Sequence, residues 1–171
     1  NILFGKVSPS AKLPVTFYED TSLLPDFCDY SMKNRTYRYA ENNILYPFGY
    51  GLTYSQVECS DLTYSDKKVS LSVTNTGNSD TEDVVQIYIK GYSENAVPNY
   101  SLCGFKRVSL KKGETQKIEL MLDESAFEVV DKNGIRKVEG NKFMLFAGTS
   151  QPDELSEKLT GTKCLSLEIN I

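Results

Sequence analysis

From about Gln56 onward, apolar and polar residues alternate with a period of two in short segments. The segment KVSLSVT, residues 68–74, places three aliphatic side chains on one face and polar side chains on the other. Because successive side chains of a strand point to opposite faces of a sheet, this alternation predicts β-strands. The segment DVVQIYIK, residues 83–90, is apolar on one face and partly apolar on the other, so we expect a central strand there.

Turn residues divide the same region into seven or eight predicted strands. The glycine of KKG, residues 111–113, predicts a tight hairpin, and Asn133-Gly134 predicts a second one. DESAF, residues 123–127, begins with a residue that caps helices and predicts a single helical turn. The number and spacing of strands are typical of an all-β fold, an immunoglobulin-like or fibronectin type III-like antiparallel β-sandwich.

Before Gln56 the pattern changes. Residues 23–43 show neither the helical nor the strand period, which predicts a long ordered loop, so the sandwich should carry an extended N-terminal arm. The following stretch LYPFGYGLTYS, residues 45–55, is rich in aromatic residues and glycine and carries no charge. We expect Tyr46, Phe48, Tyr50 and Tyr54 to pack the arm, where it enters the sandwich, against the first strands.

Composition excludes several classes of function. A net charge of -4 over 171 residues disfavours nucleic acid as a partner, and no apolar run is long enough to span a membrane. The chain has no histidine, so we predict no metal, no cofactor and no nucleophilic triad. The four cysteines are widely spaced and are expected to be free thiols in a reducing, cytoplasmic setting, with a secreted or periplasmic location as the alternative. They are Cys28, Cys59, Cys103 and Cys164.

Six blocks of sequence, in order, resemble the C-terminal portion of glycoside hydrolase family 3 enzymes, most closely bacterial β-xylosidases and β-glucosidases. They are SPSAKLPVTF, YSMKNRTYRY, LYPFGYGLTYS, VTNTGNSDTEDVVQIYI, LCGFKRVSLKKGE and VEGNKFMLFAGTSQPDELSEKLTG. Ala11 stands where the family usually has glycine. In the family a barrel comes first, an α/β sandwich second and a fibronectin type III-like domain third. The resemblance implies that residues 1–18 are the tail of the α/β sandwich domain, 19–55 an extended linker arm and 56–171 the fibronectin type III-like β-sandwich.

The family's nucleophile lies in the barrel, and its acid/base residue lies in the barrel or the second domain, so the resemblance implies no catalytic residue in this chain. We expect a fragment that is a non-catalytic support for the catalytic barrel and α/β sandwich domains. The longer enzyme would remove terminal β-linked glucose or xylose with retention, which requires two carboxyl groups about 5 to 5.5 Å apart. Two alternatives stay open: an autonomous carbohydrate-binding module, and a generic protein-interaction or adhesion module.

Seven aromatic residues lie between Tyr30 and Tyr54. We expect these rings to fasten the arm between domains. The alternative is contact with a β-linked oligosaccharide in the intact enzyme, since sugars stack on aromatic faces with polar rims. The candidates for this contact are Arg35, Tyr37, Arg38 and Tyr39. Without its neighbouring domains the arm should expose apolar surface and promote self-association.

Overall fold

The computed structural model describes all of residues 1–171. Its strands and α-helices are β1 (Phe17–Tyr18), α1 (Thr36–Tyr39), β2 (Ile44–Tyr46), β3 (Val57–Ser65), β4 (Lys68–Asn75), β5 (Thr81–Gly91), β6 (Ser101–Leu110), β7 (Thr115–Met121), β8 (Glu128–Val130), β9 (Arg136–Val138), β10 (Lys142–Gly148), α2 (Glu154–Thr160) and β11 (Leu165–Asn170). Two 3₁₀ turns, Thr21–Leu23 and Glu124–Phe127, complete the secondary structure.

Two antiparallel sheets form the predicted sandwich. One has the strand order β11-β10-β5-β6, and the other has the order β3-β4-β7. The core consists of 16 buried residues contributed by both sheets, and the alternating aliphatic residues of β4 and β5 are among them. Strand β5 is a central strand, as its sequence predicts, because β10 pairs with one edge and β6 with the other. The all-β fibronectin-like fold is confirmed.

The turn after Leu110 differs from its prediction. Strands β6 and β7 do not form a hairpin, because β6 pairs with β5 in one sheet while β7 pairs with β4 in the other. Gly113 adopts φ +76, as a tight turn requires, but its N–H donates to the Asn75 carbonyl oxygen at the end of β4 (3.1 Å). The fully buried Asn75 side chain also donates to the carbonyl oxygens of Leu110 and Lys111 (3.2 Å each). Buried side-chain hydrogen bonds thus fix a corner between the two sheets.

The predicted second hairpin and the predicted helical turn are confirmed. Strands β8 and β9 pair around Asn133 and Gly134, and the Asp131 carboxylate accepts the Asn133 and Ile135 N–H groups (2.8 and 3.0 Å). Asp123 caps the 3₁₀ turn that follows it. Helix α2 has no counterpart among the predicted elements. Its sequence signals are the N-cap Asp153 and the left-handed Gly161 after its last turn.

Candidate functional site

The stretch FGYG contacts the central strand β5 through Gly49, and its Phe48 ring stacks on Tyr37 of the arm, whereas the prediction placed its rings against the first strands of the sandwich. The Gln86 amide donates to the Gly49 carbonyl oxygen (2.9 Å), and the Tyr88 hydroxyl donates to the Gln86 Oε1 atom (2.6 Å). A Cβ on Gly49 would lie 2.2 Å from that Oε1 atom, and Gly49 has φ +78. Only glycine fits here, because both the backbone conformation and the close approach exclude a side chain.

A buried ion pair joins the N-terminal segment to the sandwich. Lys12 Nζ lies 2.7 Å from Asp83 Oδ1, and the two side chains are only 12% and 3% exposed. Beside the pair, the Leu13 N–H donates to the Tyr50 carbonyl oxygen, and the Gly49 N–H donates to the Leu13 carbonyl oxygen (2.8 Å each). Segments 11–13 and 49–51 therefore lie side by side and are held to the sandwich by charge as well as by hydrogen bonds.

The structure does not bring the four predicted sugar-contact residues into one site. Arg35 binds the loop before it, because its guanidinium donates to the carbonyl oxygens of Asp26 (2.9 Å) and Asp29 (2.6 Å). Tyr37 stacks on Phe48 with the ring centroids 4.3 Å apart. These two side chains hold the arm together.

The hydroxyl and the backbone of Tyr37 also hold the arm to the sandwich. The hydroxyl accepts the Leu102 N–H (3.0 Å), and the Asn99 amide donates to the carbonyl oxygens of Tyr37 (3.0 Å) and Ala40 (2.9 Å). The arm is thus bound to the first residues of β6 and to the loop before it. Tyr37 therefore fastens the arm to the sandwich, and the expected role of the rings between domains stays a prediction.

Arg38 and Tyr39, by contrast, line a cleft of about 410 Å³ between the arm and the sandwich. Across the cleft are the 3₁₀ turn that begins at Glu124, strand β8, and Arg136 at the start of β9. Sequence reasoning did not identify Arg136 or Glu128 as members of a site. No local signal could have found them, because they lie about 90 to 100 residues from Arg38 in the sequence and only the fold brings them near it.

A second feature of the N-terminal segment is its exposed apolar surface. Leu3 and Phe4 are 94% and 85% exposed, and Phe27 and Tyr30 are 92% and 89% exposed. Single exposed apolar residues are ordinary, but four large ones with nearly complete exposure on two short N-terminal stretches favour an interaction surface. We call residues 2–4 and 27–30 the N-terminal apolar face.

The loop that carries Phe27 and Tyr30 is nevertheless ordered by its own hydrogen bonds. The Asp26 carboxylate accepts the Cys28 N–H, and the Asp29 carboxylate accepts the Ser31 N–H (2.8 Å each). The hydrogen bond from Ser31 lowers the pKa of the Asp29 carboxyl, so Asp29 stays ionised and keeps this contact at neutral pH. The rings are therefore held out from the surface by a structured loop.

Three of the four cysteines are unreactive, and only Cys28 is exposed. All four are free, and burial raises the pKa of the thiols of Cys59 and Cys103 to about 12 and of Cys164 to about 11. Thiols with such high pKa values stay protonated and react slowly. No three His, Cys, Asp or Glu side chains lie close enough together to hold a metal ion, and no helix is long and apolar enough to cross a membrane.

Comparison with known protein families assigns both parts of the chain. Residues 1–54 match the glycosyl hydrolase family 3 C-terminal domain, and residues 83–151 match the fibronectin type III-like domain. The boundaries at residues 18 and 55 stay predictions.

Individual relatives agree with these matches. A xylan 1,4-beta-xylosidase of Xylanibacter ruminicola is 37% identical over 95% of this chain, and a periplasmic beta-glucosidase of Salmonella typhimurium is 32% identical over 86% of it. The crystal structure of a GH3 beta-glucosidase from Bifidobacterium adolescentis superimposes with a TM-score of 0.79 at 28% identity and covers 98% of the chain. The chain spans 20%, 22% and 27% of these three proteins, respectively. It belongs to glycoside hydrolase family 3, of which it contains C-terminal domain sequence followed by the fibronectin type III-like domain.

Proposed function

We propose that this chain is the non-catalytic C-terminal support of a longer β-glycosidase, and that its N-terminal apolar face docks against the catalytic barrel and α/β sandwich domains. The observation that carries the proposal is the near-complete exposure of Leu3, Phe4, Phe27 and Tyr30, of which the last two lie on a loop ordered by its own hydrogen bonds. Burying such side chains contributes roughly 1.5 to 3 kcal/mol each, so this surface strongly favours a partner. The names of the relatives support terminal β-linked xylose or glucose as the substrate of the longer enzyme.

Three further points extend the proposal. When the chain is alone, the same face is available for self-association, so we expect dimers or larger species at high concentration. The four free cysteines support a reducing, cytoplasmic location. Of the four candidate sugar-contact residues, Arg38 and Tyr39 keep their side-chain ends free for such a role.

Co-expression tests the docking. The catalytic domains of the longer enzyme are produced as a separate, affinity-tagged polypeptide, and the amount of this chain that co-purifies with them is measured. We expect Phe27→Ser with Tyr30→Ser to reduce recovery at least about tenfold, the equivalent of about 1.4 kcal/mol. Met121→Ser is the matched control, since Met121 is also an exposed apolar residue (66%) but lies on β7. Failure to co-purify, or equal recovery of the double variant and wild type, would contradict the proposal.

A further inference from the structure

We propose that the cleft between the arm and the β8–β9 hairpin is a binding site for a neutral β-linked oligosaccharide. The cleft measures about 410 Å³, within the range of roughly 300 to 1,000 Å³ of small-molecule sites. Its walls come from six parts of the chain: the arm at Arg38 and Tyr39, the end of β5, the loop between β5 and β6, the first residues of β6, the segment from Asp123 to Arg136, and Phe143 of β10.

The walls of the cleft are fixed in place without a ligand. On one side, the Asn95 amide contacts both carboxylate oxygens of Glu139 (2.8 and 3.0 Å), which joins the β5–β6 loop to the residue after β9. Lys137 pairs with the same carboxylate (2.9 Å). On the other side, Asn99 and Tyr37 hold the arm. A site built in advance binds more tightly, because little conformational freedom is lost when the ligand arrives.

Four polar side chains of the cleft are free to bind a ligand: Arg38, Tyr39, Glu128 and Arg136. No carboxylate pairs with Arg38 or Arg136, since every ion pair in the structure involves other cations. The single side-chain bond of Arg38 is a long one from Nε to the Tyr37 hydroxyl (3.4 Å), which leaves its two terminal nitrogens available. The carboxylate of Glu128 and the hydroxyl of Tyr39 make no hydrogen bond within the chain.

The charge and shape of the cleft favour a sugar. Two guanidinium groups are balanced by the carboxylates of Asp123 and Glu128, so the cleft does not select for an anion. A sugar presents hydroxyl groups that donate to carboxylates and accept from guanidinium groups. It also presents C–H faces that pack on rings and aliphatic walls such as Tyr39 and Val97. The choice of β-linked xylose or glucose units rests on the proposed function.

Calorimetry on the full chain tests the site with xylohexaose and cellohexaose as probes. We expect saturable binding of at least one of them. Tyr39→Ala removes a packing surface and Arg136→Met removes a charged donor while keeping the length of the side chain, so each should weaken binding about tenfold. Tyr92→Ala is the matched control, because Tyr92 is 60% exposed and lies outside the cleft lining, and it should bind like wild type.

Three results would overturn the site. The first is no saturation up to about 10 mM oligosaccharide, which would mean a binding free energy weaker than about 2.7 kcal/mol. The others are oligosaccharide binding that both cleft variants retain, and binding of inorganic phosphate that is tighter than that of either sugar. Far-UV circular dichroism and thermal unfolding of each variant show whether it is folded before its binding is compared. The co-purification experiment does not involve these residues, so the docking role and the sugar site can fail separately.

Discussion

The buried pair of Lys12 and Asp83 provides the sharpest test of how the N-terminal segment is fastened to the sandwich. Replacing Lys12 with methionine keeps the length of the side chain but removes its charge. Asp83 would then be a carboxylate only 3% exposed, with the Val84 N–H (2.7 Å) as its remaining donor. An uncompensated buried charge is costly because the ion has lost its water and gained no partner.

The expected loss follows from that geometry. At 2.7 Å the attraction between unit charges is about 6 kcal/mol at an effective dielectric constant near 20. Removing one partner of a buried pair typically destabilises a protein by about 3–5 kcal/mol, and we expect Lys12→Met to fall in this range. Lys12→Met combined with Asp83→Leu removes both charges, so it should recover most of that loss.

Urea unfolding followed by far-UV circular dichroism measures these changes as free energies of unfolding. Lys68→Met is the matched control, because Lys68 pairs with Glu119 at 3.4 Å while both side chains are about half exposed (45% and 49%). Such pairs contribute less than about 1 kcal/mol. Hydrogen exchange should also show faster exchange at the amides of Leu13 and Gly49, which bond across the fastened segments.

Two outcomes would refute this reasoning. One is a loss for Lys12→Met no larger than that for Lys68→Met. The other is a double variant as destabilised as the sum of its single changes, since independent sites add and coupled ones do not.

Three more predictions concern the glycine contact, the thiols and catalysis. Gly49→Ala should lower the free energy of unfolding in urea by at least about 2 kcal/mol, because the added Cβ would lie 2.2 Å from Gln86. Gly113 has a similar φ but nothing within 4 Å of the added Cβ, so Gly113→Ala should lower it by only about 1 kcal/mol. Equal losses for the two variants would show that the close contact does not matter. Iodoacetamide at pH 8 should label the native chain at Cys28 alone. The other three thiols have pKa values raised to about 11 or 12 in the folded chain, above the ordinary thiol pKa of about 8.5. Their contribution to the free energy of unfolding is therefore complete below about pH 8.5 and is lost as the pH rises through 11 to 12, because the unfolded chain releases these protons first. Unchanged stability up to pH 12 would contradict the burial argument. The purified chain should release no nitrophenol from aryl β-glucosides or β-xylosides, and turnover that survives repurification and is lost on mutation of a carboxylate would disprove its non-catalytic role.

The local elements were predictable because their causes are local. Period-two alternation and turn residues identified the strands, the β8–β9 hairpin and the helical turn after Asp123. Helix α2 was not predicted, although Asp153 and Gly161 mark its two ends. It has only seven residues, which is too short for a clear helical period in the sequence. The family blocks in the sequence also identified the arm and the sandwich.

Pairing across the sequence was not predictable in the same way. The alternation shows which side chains share a face, but it does not show which strand lies next to which, so the turn at Gly113 was expected to form a hairpin and instead joins two sheets. The residues that line the cleft also could not be predicted from local sequence. Arg35 and Arg38 look alike in the sequence, yet one guanidinium binds loop carbonyl oxygens and the other lines a cleft.

The sequence by itself therefore determined the fold class, the faces of the strands and the family. Tertiary structure alone decided that Lys12 neutralises Asp83, that Gly49 lies against Gln86, and that Arg136 lines the same cleft as Arg38. The physical reason is that a buried charge, a close backbone approach and a cleft each depend on segments far apart in the chain, and no local periodicity records which distant segment will be the partner.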